Sequence, residues 1–285
     1  MKLCRFANAE GHVRVGLMLD GVTVVDLTAT GVDRLETVLE QHDPGRFLEK
    51  LSVNTITSHL LAKVKLLAPM ERQEVWAAGV TYLRSKKARM EESDFSATAY
   101  DKVYEAARPE IFFKSLPEKV VPPGDPVGIR KDARWNVPEP ELALVINSRG
   151  RVVGYTIGND MSARDIEGEN LLYLPQAKVY HRSCAVGPWI VVGAREDDVR
   201  QWKIELQILR GRQAVFEGET AASQIKRSFD ELAGYLVRSQ VFPHGAVLLT
   251  GTGIVPPDDF TLQANDVVRI SISGIGTLEN PVVEV

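Results

Sequence analysis

Three carboxylates give the chain its strongest chemical pattern. In the stretch VPEPELALVINSRGRVVGYTIGNDMSARD, Glu139 and Glu141 stand two residues apart at the start of an apolar run. Asp160 follows on the far side of an NSRG turn. Residues two apart on a strand point to one face, so Glu139 and Glu141 project together. Pro140 points the other way, and a proline there suits an edge or a strand start. If Ile146 pairs with Arg151, then Glu141 faces Thr156 and Glu139 faces Gly158. Asp160 then lies on the same face, one diagonal step beyond Glu139. A slip of one residue would turn it away.

Carboxylates gathered this closely repel one another and raise each other's pKa. A hard divalent cation with oxygen ligands removes the conflict. No His or Cys pair stands nearby, which favours Mg²⁺, Mn²⁺ or Ca²⁺ over zinc. Such an ion leaves positions open for a chelating substrate. The competing reading is that Glu139 and Glu141 are only surface charges on an exposed strand, where glutamate is common.

The elements that must hold these groups read as mainly β. Residues 13–18 and 22–27 flank an Asp20-Gly21 turn and read as a hairpin. Short helices are expected at 35–42 and 56–61, and a connector at 64–69 sets a domain boundary near residue 68. A strand ends at Gly79, and a charged helical segment is expected over 83–105. Strand character returns at 111–114. From 137 onward the runs ELALVI, RVVGYTIGND, PWIVVG, IELQILRG, AVLLTGTG and VVRISISG are β-like, interrupted by helices at 162–171 and 224–239. The expected architecture is a mixed, mainly β core of the sandwich or rolled-barrel kind with peripheral helices.

Bulk properties narrow the function classes. The 285 residues are 44% hydrophobic and 25% charged, enough for a sizeable core. A net charge of −4 offers no basic footprint for nucleic acid or anionic lipid. No apolar run reaches the roughly 18 residues of a membrane span. The first residues, MKLCRFANAEGHVRVG, lack the apolar stretch of a secretory signal, and Cys4 and Cys184 show no metal-type or disulfide-framework spacing. A cytoplasmic location is expected.

The succession PEPELALVI, GYTIGNDMSARD, LPQAKVYHRSCAVGPWIV and LLTGTGIVPP resembles the fumarylacetoacetate hydrolase superfamily, over about three quarters of the chain. The resemblance implies a β-sandwich roll over residues 69–285, a small N-terminal α+β domain over 1–68, and a homodimer. It also implies Mg²⁺, with Mn²⁺ as the alternative, on Glu139, Glu141 and Asp160. Hydrolytic members carry a lid motif resembling G-x-N-Y-x-x-H-x-x-E, whose His activates water. Here the stretch reads GVTYLRSKKARMEE, with Thr81, Ser85 and Ala88 in place of the Asn, His and Glu. A general base for water is therefore missing from that motif.

RPEIFFK, WNVPEPELALVI, EGENLLYLPQAKVYHRSCAVGP and GTGIVPP resemble the branch that dehydrates 2-keto-3-deoxy sugar acids. The implied substrate is a small 2-oxo acid of the pentonate type, dehydrated to 2-oxoglutarate semialdehyde through a metal-stabilised enolate. Lys178 in LPQAKVY is the candidate base or charge-stabilising group, because like charge beside a dication favours a neutral lysine. Glu110 in RPEIFFK is the candidate acid–base partner. Thr252, flanked by Gly251 and Gly253, is expected to touch the substrate carboxylate. Ser85 and Arg84, with Lys86, would line the lid or else form ordinary surface. Arg164 and Asp165 read as an ion pair or helix start, and His181 and Cys184 as packing residues or as supports behind the residues that touch metal and substrate. An acylpyruvate hydrolase, a 2-oxo diacid decarboxylase or isomerase of the same superfamily, and a non-catalytic sugar-acid binding protein are the alternatives.

Overall fold

The computed structural model describes residues 1–51, 57–83 and 103–285. The early chain forms β1 (Lys2–Ala7), β2 (Val13–Met18), β3 (Thr23–Asp26), β4 (Ser58–Leu60) and β5 (Lys65–Leu67). Next come β6 (Glu74–Gly79), β7 (Glu110–Ser115), β8 (Val127–Ile129), β9 (Asn136–Val137), β10 (Pro140–Ile146), β11 (Val152–Asp160) and β12 (Ser162–Ala163). The remaining strands are β13 (Cys184–Val191), β14 (Lys203–Arg210), β15 (Gln213–Ala221), β16 (Ala246–Leu249), β17 (Asp266–Ile272) and β18 (Gly276–Glu284). The helices are α1 (Leu35–Leu39), α2 (Pro44–Lys50), α3 (Arg164–Glu169), α4 (Leu174–Lys178), α5 (Glu196–Val199) and α6 (Phe229–Leu236).

An eleven-stranded sheet runs β4-β3-β2-β1-β13-β11-β10-β16-β6-β7, with β5 also on β1; a five-stranded sheet runs β15-β14-β17-β18-β8. Strands β9 and β12 form a separate pair. The mainly β expectation therefore holds. The main core joins Leu142, Leu144, Tyr155 and Ile157 of the large sheet to Leu206, Ile208, Val268 and Ile270 of the smaller one. Across the large sheet, α1 and α2 bury Leu35, Val38, Leu39 and Leu48 with Val145, Val153 and Ile190. Strand β10 is thus covered on both faces, which its unbroken apolar run requires.

The β10–β11 pair fixes the carboxylates. Glu141 lies opposite Gly158 and Pro140 opposite Asn159, two residues from the expected register. The turn takes in Arg151, since Asn147 Oδ1 accepts from the N–H groups of Arg149 and Arg151, both at 3.1 Å. Ile146 then pairs with Val152 after a bulge at Val145/Ile146. A shift of two preserves side-chain parity, so all three carboxylates stay on one face. Pro140 is the first residue of β10, beyond the Ala143–Ile146 stretch paired to β16, so no ladder N–H is needed from it.

Other expectations need correction. Residues 58–60 are strand, paired to β3 through Thr23↔Leu60, and a single 3₁₀ turn follows at Leu61–Lys63. The open edge of β3 supplies backbone partners that an isolated short helix lacks. The helix expected at 162–171 starts only at Arg164, because Ser162 and Ala163 pair with Val137 and Asn136. The helix expected at 224–239 is confined to Phe229–Leu236, where Ser228 Oγ caps Glu231 N at 3.1 Å. Most of the helix expected at 83–105, with Arg84, Ser85, Lys86 and Ala88, lies outside the described residues.

Candidate metal centre and its pocket

Glu139, Glu141 and Asp160 are all buried and offer carboxylate oxygens within 4.8 Å of one another. Glu139 reaches the cluster from just before β10, Glu141 from inside it, and Asp160 from the last residue of β11. Gly158, opposite Glu141, leaves room that a Cβ would lose, 2.3 Å from Leu249 Cδ2.

Each carboxylate is tied to its surroundings. Glu139 Oε1 accepts from Arg164 at 2.8 Å, and its Oε2 accepts from Lys178 Nζ at 2.8 Å. Asp160 Oδ2 accepts from Lys178 Nζ at 3.1 Å. Its Oδ1 is in ion-pair contact with Lys114 Nζ, without the angles of a hydrogen bond. Glu141 Oε2 accepts from the Gly251 N–H. Ser162 Oγ accepts from Lys178 Nζ at 2.6 Å and donates to the Asp160 carbonyl at 3.0 Å. Burial holds Glu141 well above the usual carboxylate range, and the charges of Asp160 and Glu139 push it further. Three acidic groups at this spacing and burial suit a hard dication, which would relieve that strain.

The loop after β16 closes the site. Gly251 has φ +87°, and a Cβ there would fall 2.1 Å from Thr81 Oγ1. Thr81 Oγ1 donates to the Thr250 carbonyl at 2.5 Å, and Thr250 Oγ1 to the Leu142 carbonyl at 2.8 Å. Ala78, Gly79, Val80, Phe112, Gly251 and Thr252 line one pocket together with the carboxylates, Arg164 and Lys178. Val80 is a β-branched residue at φ 53°, a strained conformation placed at the pocket wall.

The structure thus brings Lys178 and Thr252 to the triad. Thr252 Oγ1 is within 3.3 Å of the Ile254 carbonyl and 3.2 Å of its N–H. Glu110 lies opposite Gly79 on the β6–β7 pair, its carboxylate resting over that glycine. Asp165 does not join Arg164; its Oδ2 accepts from the Arg134 N–H at 2.7 Å. Cys184 is buried, and burial pushes its thiol up to about 12, so it is inert packing.

Sequence reasoning missed Lys114, Arg164 and Ser162 as members of the site. Lys114 had one signal, a charge inside the apolar EIFFKS strand. Arg164 and Ser162 stand in the GYTIGNDMSARD run, but their partners Glu139 and Lys178 come from other parts of the chain.

The Fumarylacetoacetate (FAA) hydrolase C-terminal family model matches residues 74–283. A protein of Saccharolobus solfataricus named 2-dehydro-3-deoxy-D-arabinonate dehydratase is 42% identical over 99% of this chain and 96% of its own. "Probable 2-keto-3-deoxyxylonate dehydratase" of Haloferax volcanii is 49% identical over 76% of this chain and 74% of its own. A solved structure of 2-keto-3-deoxy-D-arabinonate dehydratase complexed with magnesium and 2,5-dioxopentanoate superposes with a TM-score of 0.83. It is 35% identical and covers 100% of this chain and 99% of the other.

Proposed function

The chain belongs to the fumarylacetoacetate hydrolase family, and on that premise we propose a metal-dependent dehydratase of 2-keto-3-deoxy sugar acids of the pentonate type. Its product is 2-oxoglutarate semialdehyde, the compound also called 2,5-dioxopentanoate. The observation that carries this reading is the convergence of Lys178 on the buried Glu139, Glu141 and Asp160 in one pocket. The end-to-end likeness to a sugar-acid dehydratase supports the substrate class.

Glu139, Glu141 and Asp160 would hold Mg²⁺, or Mn²⁺, which favours the same oxygen donors. When bound, the ion supplies Lewis-acid polarisation to a chelating 2-oxo acid. The protein's own groups then move protons. Lys178 Nζ takes a proton from C3, and Glu110 gives one to the departing C4 hydroxyl, which leaves as water. The product of that elimination is a 3-ene. Shift of a C5 proton and tautomerisation of the resulting enol give the terminal aldehyde.

Thr252, at the pocket wall, is assigned to the substrate carboxylate, and Arg84 and Ser85 to the sugar hydroxyls. We assign residues 1–68 to a small N-terminal unit; its β1 continues the large sheet by pairing with β13, and its Glu40 accepts from Ser148 N at 2.8 Å at the β10–β11 turn. A cytoplasmic homodimer completes the reading; among the described residues no helix is long and apolar enough to cross a membrane.

The test is a coupled assay offering 2-keto-3-deoxy-pentonates and, in parallel, an acylpyruvate, with and without Mg²⁺. Semialdehyde formation that a chelator stops is the expected result. Pyruvate release from the acylpyruvate alone would overturn the dehydratase reading in favour of a hydrolase.

A further inference from the structure

Lys114 is fully buried, and an ammonium is kept in such a place only by strong partners. It has them. Its Nζ donates to the Met161 carbonyl at 3.0 Å and to the Lys178 carbonyl, and it contacts Asp160 Oδ1. These three partners come from two separate pieces of the site. Asp160 and Met161 end the metal-binding hairpin, and Lys178 is the last residue of α4.

The backbone around Lys114 is built to deliver it. Val75 pairs with Ser115 and Trp76 with Phe113, so Lys114 is the extra residue of a β-bulge. Bulges re-aim a side chain that regular pairing would hold elsewhere. The neighbouring Phe112 lines the pocket and Phe113 packs edge-on against Trp76, which pins the strand just before the bulge.

We infer that Lys114 is a positioning residue: a three-point anchor that locks the Asp160 ligand to the end of the helix carrying Lys178. Asp160 then keeps Oδ1 on Lys114 and presents Oδ2 to Lys178 Nζ. Metal ligand and base are set against each other by one buried group. The inference rests on the proposed metal site and on Lys178 as base. Partners that orient metal ligands commonly cost about 10–100-fold in affinity or activity when removed.

The test is Lys114→Met, with Lys114→Gln as a second variant should the first fail to fold. Mn²⁺ affinity and stoichiometry are measured by calorimetry, beside kcat and KM on a 2-keto-3-deoxy-pentonate. Deleting a positive charge would by itself tighten cation binding. Loss of positioning does the opposite: about tenfold weaker Mn²⁺ binding at unchanged stoichiometry, with kcat reduced about tenfold or more. Equal or tighter Mn²⁺ binding overturns the inference. So does lower stoichiometry with unchanged affinity and unchanged kcat per occupied site, which marks a purely structural lysine. Wild-type protein that binds no Mn²⁺ would overturn the metal reading, and the inference with it.

Discussion

Asp160 stands directly across from Glu139: its N–H donates to the Glu139 carbonyl at 3.0 Å, and Lys178 Nζ bonds both carboxylates. The two residues are therefore spaced by a backbone hydrogen bond, independently of any ion. That backbone spacing does not depend on the Glu141 side chain.

Glu141→Gln is accordingly expected to abolish metal-dependent activity while the fold remains. The glutamine keeps the shape and can still accept from the Gly251 N–H. It also removes a buried acid whose charged form is disfavoured. The melting temperature in chelator should be no lower than that of the wild type, and the increment on adding Mg²⁺ should vanish. Full activity without metal would remove Glu141 from the site.

The raised pKa of Glu141 gives a pH signature with a definite sign. Its folded value lies above its unfolded one, so its contribution to stability is whole below the usual carboxylate range. That contribution is lost as pH rises through the folded pKa. A bound dication favours the charged form and restores it. The Mg²⁺-induced rise in Tm should therefore be larger at about pH 8 than at about pH 6. Equal increments would mean that metal binding displaces no proton from Glu141.

How much of this site was readable beforehand turns on parity and on distance along the chain. Glu139, Glu141 and Asp160 share a face because strands repeat every two residues, and a register error of two leaves that intact. The short apolar run at 56–61 fits helix or strand alike, and the open edge of β3 decides for strand at 58–60. Lys114 escaped because a bulge, not periodicity, directs it. Arg164 pairs with Glu139 across 25 residues of chain, a contact that no local pattern encodes.

Lys178→Ala is expected to cut kcat by about 10²–10⁴-fold if Nζ removes the C3 proton. Steady-state kinetics with saturating Mg²⁺ separate the roles. A rise in KM at constant kcat would show that Lys178 binds substrate and does not act as base.

Gly251→Ala probes the loop that presents its N–H to Glu141. The residue sits at φ +87° with Thr81 Oγ1 2.1 Å from any added Cβ, so strain and collision coincide. A loss of roughly 1–3 kcal/mol in unfolding free energy is expected, together with weaker Mn²⁺ binding. Wild-type stability would show that the loop yields easily and does not fix Glu141.

Glu110 can be tested from two directions. Glu110→Gln keeps the side chain's size and removes its proton. Gly79→Ala keeps the acid but puts a Cβ 2.0 Å from where Glu110 Oε2 lies, so the carboxylate must move. If Glu110 protonates the departing C4 hydroxyl, either change should lower kcat about 10²-fold or more. Mn²⁺ affinity should stay within a few-fold of wild type in both, since neither residue belongs to the carboxylate cluster. Wild-type kcat in Glu110→Gln would end the acid assignment. A slow Gly79→Ala beside it would then mean only that the strand ending at Gly79 shapes the pocket wall.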